Sequence, residues 1–226
     1  MELQIKETGD GSKTLYRPDI DESYHSTHGA LSESQHVFIK EGIDYQAQNI
    51  SEINILEVGI GTGLNALLTL AYCLHNPQVK VNYIGLEPFP PAWEILSQLT
   101  YTTLFEAVIQ PYYKQIHTLS WEENHEVLPN FNFYKTQKKL EAFTWEGSLF
   151  NVIYFDAFAP RKQEEMWEVS QMEKCYQLSA EGCAFVTYCA MGQFRRNLRA
   201  AGFEVTKIAG PPGKREMTRA FKNIST

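Results

Sequence analysis

The run Ile53-Asn54-Ile55-Leu56-Glu57-Val58-Gly59 is short, apolar and closed by glycine, the pattern of a buried strand entering a tight turn. Comparable runs recur at 79–86, 131–137, 150–155 and 183–188, and two shorter ones follow at 203–208 and 219–222. Residues 150–155 are almost wholly apolar, as expected of a central parallel strand covered on both faces. Segments with helical character lie between the runs, at 64–74, 92–99, 103–108, 138–143, 163–178 and 192–201. Strand and helix therefore alternate, which predicts an α/β fold with a Rossmann-like, doubly wound, mostly parallel sheet. The first forty residues break the pattern. The short alternation Leu3-Gln4-Ile5-Lys6 predicts a small hairpin, followed by an extended lead-in and a short helix over 34–46. We expect residues 1–50 to form a small N-terminal extension of the domain whose core is 51–226, since 226 residues fit one decorated α/β domain.

Composition narrows the class. Apolar residues at 43% and charged residues at 21% suffice for a packed core without staples. Cys73, Cys175, Cys183 and Cys189 form no C-x-x-C pair, so no metal site is expected. The start lacks the basic-then-apolar order of a signal peptide, and no apolar stretch reaches about 18 residues, which predicts a cytoplasmic protein with no membrane partner. A net charge of −7 argues against a generic nucleic-acid coat. The charge is uneven, however: residues 191–226 carry eight basic and two acidic side chains. That segment reads either as a solvated helix face and strand edge or as a phosphate-facing surface, and charge alone does not choose.

The sharpest chemical signal is the junction at 57–63. Glycines let a backbone turn tightly and approach a ligand at a helix amino terminus. A dinucleotide loop has G-x-G-x-x-G spacing, whereas Gly59, Gly61 and Gly63 give G-x-G-x-G with Glu57 two residues ahead. That acidic lead resembles the first motif of Rossmann-like methyltransferases, whose cofactor is S-adenosyl-L-methionine; the bland alternative is a tight turn. Glu87 ends the next strand, where a carboxylate can accept hydrogen bonds from both ribose hydroxyls; otherwise it is a surface glutamate. Asp156 ends the apolar strand at the same edge. It is the candidate catalytic residue, able to orient an acceptor amine and take its proton, or else a helix-capping aspartate.

Beyond these, several stretches together resemble the MnmC-like tRNA methyltransferase family in its methyltransferase part, from about residue 16 to the end. They are Asp21-Glu22-Ser23-Tyr24-His25-Ser26, Glu33-Ser34-Gln35-His36-Val37-Phe38-Ile39, Leu56 through Asn65, Phe155-Asp156-Ala157-Phe158-Ala159-Pro160 with Met166-Trp167, Thr187-Tyr188-Cys189-Ala190, and Gly210 through Met217. The resemblance implies methylation of the exocyclic amine of 5-aminomethyl-2-thiouridine at the tRNA wobble position. It also implies a cofactor site built from Glu57, Gly59, Gly61, Gly63, Asn65, Glu87 and Asp156, with Tyr24 and Ser26 folding over the pocket. Bifunctional members add a flavin-dependent oxidase. This sequence shows no second nucleotide fingerprint, so the expectation is a stand-alone methyltransferase with no flavin, its amine supplied by a separate oxidase or other amine-supplying enzyme.

The partner so implied is the tRNA anticodon stem-loop. Phe158 and Tyr188 are the candidates for stacking on a splayed base, while Trp167 reads as core packing. Arg195, Arg196, Arg199, Lys214 and Arg215, supported by Lys138 and Lys139, are the phosphate-facing candidates. The family often has Gly-Asp after the third strand; here Thr136-Gln137 stands there, and the Gln137 carbonyl can still accept from an adenine amino group. His25, His28 and His36 have no metal-ligand spacing and read as surface or packing histidines. Other readings keep part of the pattern: methylation of a small-molecule amine, a non-catalytic cofactor- or RNA-binding scaffold and, more distantly, an NAD-dependent oxidoreductase.

Overall fold

The computed structural model describes residues 2–224. Position 1 of the expected extension and positions 225–226 of the expected core therefore lie outside the described residues. Near the amino terminus β1 (Gln4–Glu7), β2 (Lys13–Arg17) and β3 (Glu22–Ser23) form an antiparallel sheet, the expected hairpin with one more short strand. A helical rod follows without a break. It comprises α1 (Ala30–Ser34), a π-helical stretch Gln35–Asp44 and α2 (Tyr45–Ala47). Its wide turns bring Phe38 against Tyr154, and a Cβ at Gly42 would come within 2.8 Å of the same tyrosine ring.

The main sheet contains β4 (Glu52–Val58), β5 (Lys80–Leu86), β6 (Asn124–Leu128), β7 (Phe131–Thr136), β8 (Phe150–Phe155), β9 (Ser179–Thr187), β10 (Glu204–Ala209) and β11 (Glu216–Phe221). Their order across the sheet is β10-β11-β9-β8-β4-β5-β7-β6. The five central strands are parallel, while β6 and β11 run antiparallel to their neighbours. From β4 the chain winds outward through β5 and β7, then returns to β8 on the other side of β4. The carboxyl ends of β4, β5 and β8 therefore meet at a topological switch point, where such sheets open a crevice.

Helix α3 (Leu64–His75) follows the glycine loop, and Leu64 through Ala71 are all buried beneath the rod and against the sheet. Each buried leucine there contributes about 2 kcal/mol over its exposed state. α4 (Trp93–Leu96) and α5 (Gln110–Thr118) share that face, where Tyr83, Phe131 and Tyr154 pack; α6 (Val169–Leu178) and α7 (Gly192–Ala200) cover the other, over Phe155 and Phe185.

Several elements differ from the expected ones. The helix expected at 103–108 is only a 3-10 turn at Tyr101–Leu104, and the true helix is α5. Its polar, aromatic composition hides it, although Pro111 in its first turn is a recognisable start signal. β6 went unpredicted because an edge strand exposed on one side needs few apolar residues. The segment 163–178 is not one helix: a 3-10 turn at Glu164–Trp167 precedes α6, and Glu168 between them has an extended backbone, φ −71° and ψ 162°.

Candidate functional site

At the end of β4 the backbone turns through Gly59 (φ 93°) and Gly61 (φ 52°), both in the left-handed region. A Cβ at Gly59 would lie 2.7 Å from the Asp156 carbonyl oxygen, and one at Gly61 would lie 2.9 Å from the Tyr24 ring. The loop is thus pressed between the end of β8 and the N-terminal extension, and only glycine fits on either side. Gly63 caps α3, and the loop borders a cavity of about 500 Å³ that opens at the switch point. No helix among the described residues is long and apolar enough to cross a membrane, and no three His, Cys, Asp or Glu side chains among them cluster as a metal site.

Glu87, at the carboxyl end of β5, lines this cavity. Its Oε2 accepts the Gly61 N–H at 2.8 Å and its Oε1 accepts the Phe89 N–H at 3.0 Å. A carboxylate offers about four lone-pair sites, so two remain for hydroxyl groups. Burial raises its proton affinity, partly offset by those two amides.

Asp156 also lines the cavity. Burial pushes its pKa up to about 7, with the Glu33 charge adding to the rise and the Asn65 hydrogen bond and Lys214 charge opposing it. Asn65 is buried in the first turn of α3 and bonds two carboxyl groups, Glu57 Oε1 at 2.9 Å and Asp156 Oδ2 at 2.8 Å. Glu57 itself is fully buried below the loop, and desolvation raises its pKa to about 8. Neither Asn65 nor Glu57 reaches the cavity wall.

The N-terminal extension closes one side. Tyr24 meets Phe158 edge to face at 4.9 Å, and the Arg17 guanidinium lies 5.5 Å from the same ring. His25 is buried, with Nε2 2.6 Å from Thr62 Oγ1, and burial lowers its pKa to about 4. Ser26 stays out of the cavity; its backbone N–H donates to Glu33 Oε1, and its hydroxyl accepts from the His28 N–H. Glu33 in turn pairs with Lys214, whose ammonium sits 4.3 Å above the Tyr188 ring. The Tyr188 hydroxyl donates to the Ala157 carbonyl at 2.8 Å, so this ring supports the acceptor edge from behind.

The expected phosphate-facing set divides. Arg195 is corrected: it is 3% exposed, and its guanidinium donates to Thr218 Oγ1, Glu216 Oε2 and the Met217 carbonyl. It fastens α7 to β11 because the amphipathic helix turns that position inward, although sequence charge made it look solvated. Arg196, Arg199 and Arg215 are exposed but lie away from the cavity, and Arg196 is engaged by Gln193. Lys138 and Lys139 do line the mouth, together with Arg17 and Lys162, which sequence reasoning did not single out. Gln137 is exposed and outside the wall, its backbone N–H turned to Glu122. Trp167 is core, packed on Phe155 and Phe194.

A switch-point crevice with a G-x-G-x-G cradle, a ribose-competent carboxylate at the end of β5 and an aspartate at the end of β8 defines the Rossmann-like methyltransferase class. The chain belongs to the S-adenosyl-L-methionine-dependent methyltransferase family whose profile matches residues 100–223. Among curated proteins it is 31% identical to the tRNA 5-methylaminomethyl-2-thiouridine biosynthesis bifunctional protein MnmC of Pseudoalteromonas atlantica, over 88% of this chain and 31% of that protein. It is 30% identical to the MnmC protein of Cupriavidus metallidurans, over 92% of this chain and 32% of that one. The chain thus spans about a third of the length of these relatives. The crystal structure of MnmC2 from Aquifex aeolicus superposes with a TM-score of 0.79 at 23% identity, covering 100% of this chain and 72% of that one, and shows the same fold.

Proposed function

We propose that this chain is a tRNA N-methyltransferase that transfers a methyl group to the aminomethyl nitrogen of 5-aminomethyl-2-thiouridine at the wobble position. The observation that carries the reading is Asp156, a desolvated carboxyl held by Asn65 at the cavity wall, directly against the glycine loop. The names of the bifunctional MnmC relatives support the choice of substrate.

The cavity suits the family's cofactor. The glycine loop borders the cavity with its backbone, and Glu87 keeps lone pairs for two ribose hydroxyls. When bound, S-adenosylmethionine supplies a methyl group on a sulfonium centre open to in-line displacement. Asp156 orients the incoming amine and accepts the proton that nitrogen must shed, a role that a proton affinity near neutrality suits. Phe158, steadied by Tyr24 and Trp167, offers a face for a splayed base, and Arg17, Lys138, Lys139 and Lys162 flank the mouth where the nucleic-acid backbone would pass.

The test is mass spectrometry of nucleosides after incubating the protein with isotopically labelled S-adenosylmethionine and tRNA carrying the aminomethyl group. The label is expected on the wobble nucleoside. Label on no nucleoside overturns the reading, and label on free small amines instead selects a small-molecule methyltransferase.

A further inference from the structure

The Asp156 carboxyl at the cavity wall and the Glu57 carboxyl below it are joined by one side-chain amide. Asn65 Nδ2 spends both hydrogens on them, one on Glu57 Oε1 and one on Asp156 Oδ2, at 2.9 and 2.8 Å. Two acceptor atoms of the same cluster, Glu57 Oε2 and Asn65 Oδ1, are buried with no hydrogen-bond partner among the described residues, as is the Tyr83 hydroxyl, which faces Glu57 and favours its carboxylate. Buried acceptors left bare are costly. A single proton on Glu57 relieves both, because Oε2 then becomes a donor, and Asn65 Oδ1 is the bare acceptor of the very amide already bonded to Oε1. Acid and amide would then pair through two parallel hydrogen bonds.

The charges around the cluster agree. The groups facing it from the packed elements are Glu33 and Lys214, which pair with each other, Tyr188, Tyr83, Tyr154 and Glu87. No cation pairs with Glu57 or Asp156 among the described residues, whose ion pairs lie elsewhere. Two ionised carboxylates bridged by one neutral amide and removed from water would repel, offset only by the Tyr83 hydroxyl at Glu57 and by the Lys214 charge at Asp156, which is itself paired with Glu33.

We propose that Asn65 is a positioning residue rather than a cofactor ligand, aiming Asp156 into the cavity, with Glu57 kept beneath it as the neutral carboxylic acid so that the pair carries one negative charge, on Asp156. The positioning role rests on the reading of Asp156 as proton acceptor given above; the neutral state of Glu57 does not.

Two measurements test it on the full chain. Infrared difference spectroscopy at pH 7 between the parent protein and Glu57→Gln is expected to show the carbonyl stretch of a neutral carboxylic acid, lost in the variant. A carboxylate band lost in its place overturns the proposal, whether or not tRNA is methylated. In pH profiles of kcat/KM, Glu57→Gln, isosteric with the neutral acid, is expected to leave the acid limb where it stands. If Glu57 were ionised, removing its charge would move that limb down by about one pH unit, and that result overturns the proposal. Asn65→Leu removes the N–H that favours the Asp156 carboxylate, so the limb moves up and kcat falls roughly tenfold or more while S-adenosylhomocysteine affinity holds within about twofold. Loss of that affinity in step with turnover would make Asn65 a ligand and overturn the positioning role. Failure of the parent protein to methylate any RNA would instead strike the proposed function, with the infrared result still deciding the state of Glu57.

Discussion

At the scale of single residues, the site separates groups that line the cavity from groups that hold them. Glu87 faces the cavity with lone pairs free, and a charge-assisted hydrogen bond contributes about 1.5–3 kcal/mol. Glu87→Ala should therefore weaken S-adenosylhomocysteine binding roughly tenfold or more by titration calorimetry, and an unchanged affinity would remove Glu87 from the cofactor site. Asp156→Asn should lower turnover by a factor of roughly 100 or more while cofactor affinity stays close to that of the parent, since general-base contributions have that size. In the parent protein kcat/KM should rise through about pH 7 as the Asp156 carboxyl loses its proton. A profile flat between pH 6 and 8 would mean that the proton leaves by another route.

At the scale of elements, α7 and β11 are joined by Arg195, whose guanidinium meets Thr218, Met217 and Glu216 in a nearly dry pocket. Removing one member of such a cluster leaves polar atoms bare. Arg195→Met should cost about 2–3 kcal/mol, read as a lower urea midpoint, after discounting for the partly exposed Glu216. Arg196→Glu, one position on and exposed, should change stability by no more than about 0.5 kcal/mol. The contrast marks what sequence charge leaves ambiguous: adjacent arginines on one helix face opposite environments. The mouth cations come from separate elements, Arg17 at the end of β2, Lys138 and Lys139 after β7, and Lys162 after β8. If these hold backbone phosphates, Lys138→Glu with Lys139→Glu should weaken tRNA binding and flatten its salt dependence by about one unit of slope for each phosphate no longer neutralised. Substituting Arg196 and Arg215 should do neither.

For the whole molecule, buried titratable groups set the pH dependence of stability. Glu57 binds its proton up to about pH 8 when folded but only to about 4.5 when unfolded, so its contribution is present at low pH and is lost as pH rises towards 8. Asp156 acts in the same direction up to about pH 7. His25 and His117, both lowered to about 4 by burial, act oppositely: stability is lost as pH falls from 6.5 towards 4. Lys135, lowered to about 8 by burial, makes stability rise with pH only above that point. Between pH 6.5 and 8 the carboxyl groups therefore dominate. The melting temperature should fall across that window, with a limiting slope of about 1.4 kcal/mol per pH unit per proton, and Glu57→Gln should flatten it.

Local pattern was enough for the parts of this protein whose physics is local. The apolar runs at β4, β5, β7 and β8, the spacing of Gly59, Gly61 and Gly63, and the strand-end positions of Glu87 and Asp156 could be read directly, because periodicity and backbone permissiveness belong to the residues themselves. Helix α5 and strand β6 could not, since both are stabilised by a sheet that exists only after the chain has folded back on itself. The sequence likewise put Arg195 on the surface and could not say on which side of the cavity wall Asn65 and Glu57 lie. The tertiary structure buries Arg195 and sets Asn65 and Glu57 behind the wall, because which side a side chain occupies depends on pairings across 91 residues between Asn65 and Asp156 and 23 between Arg195 and Thr218. Motif spacing marks where chemistry can gather, and burial then sorts the groups that line the cavity from those that lie behind its wall.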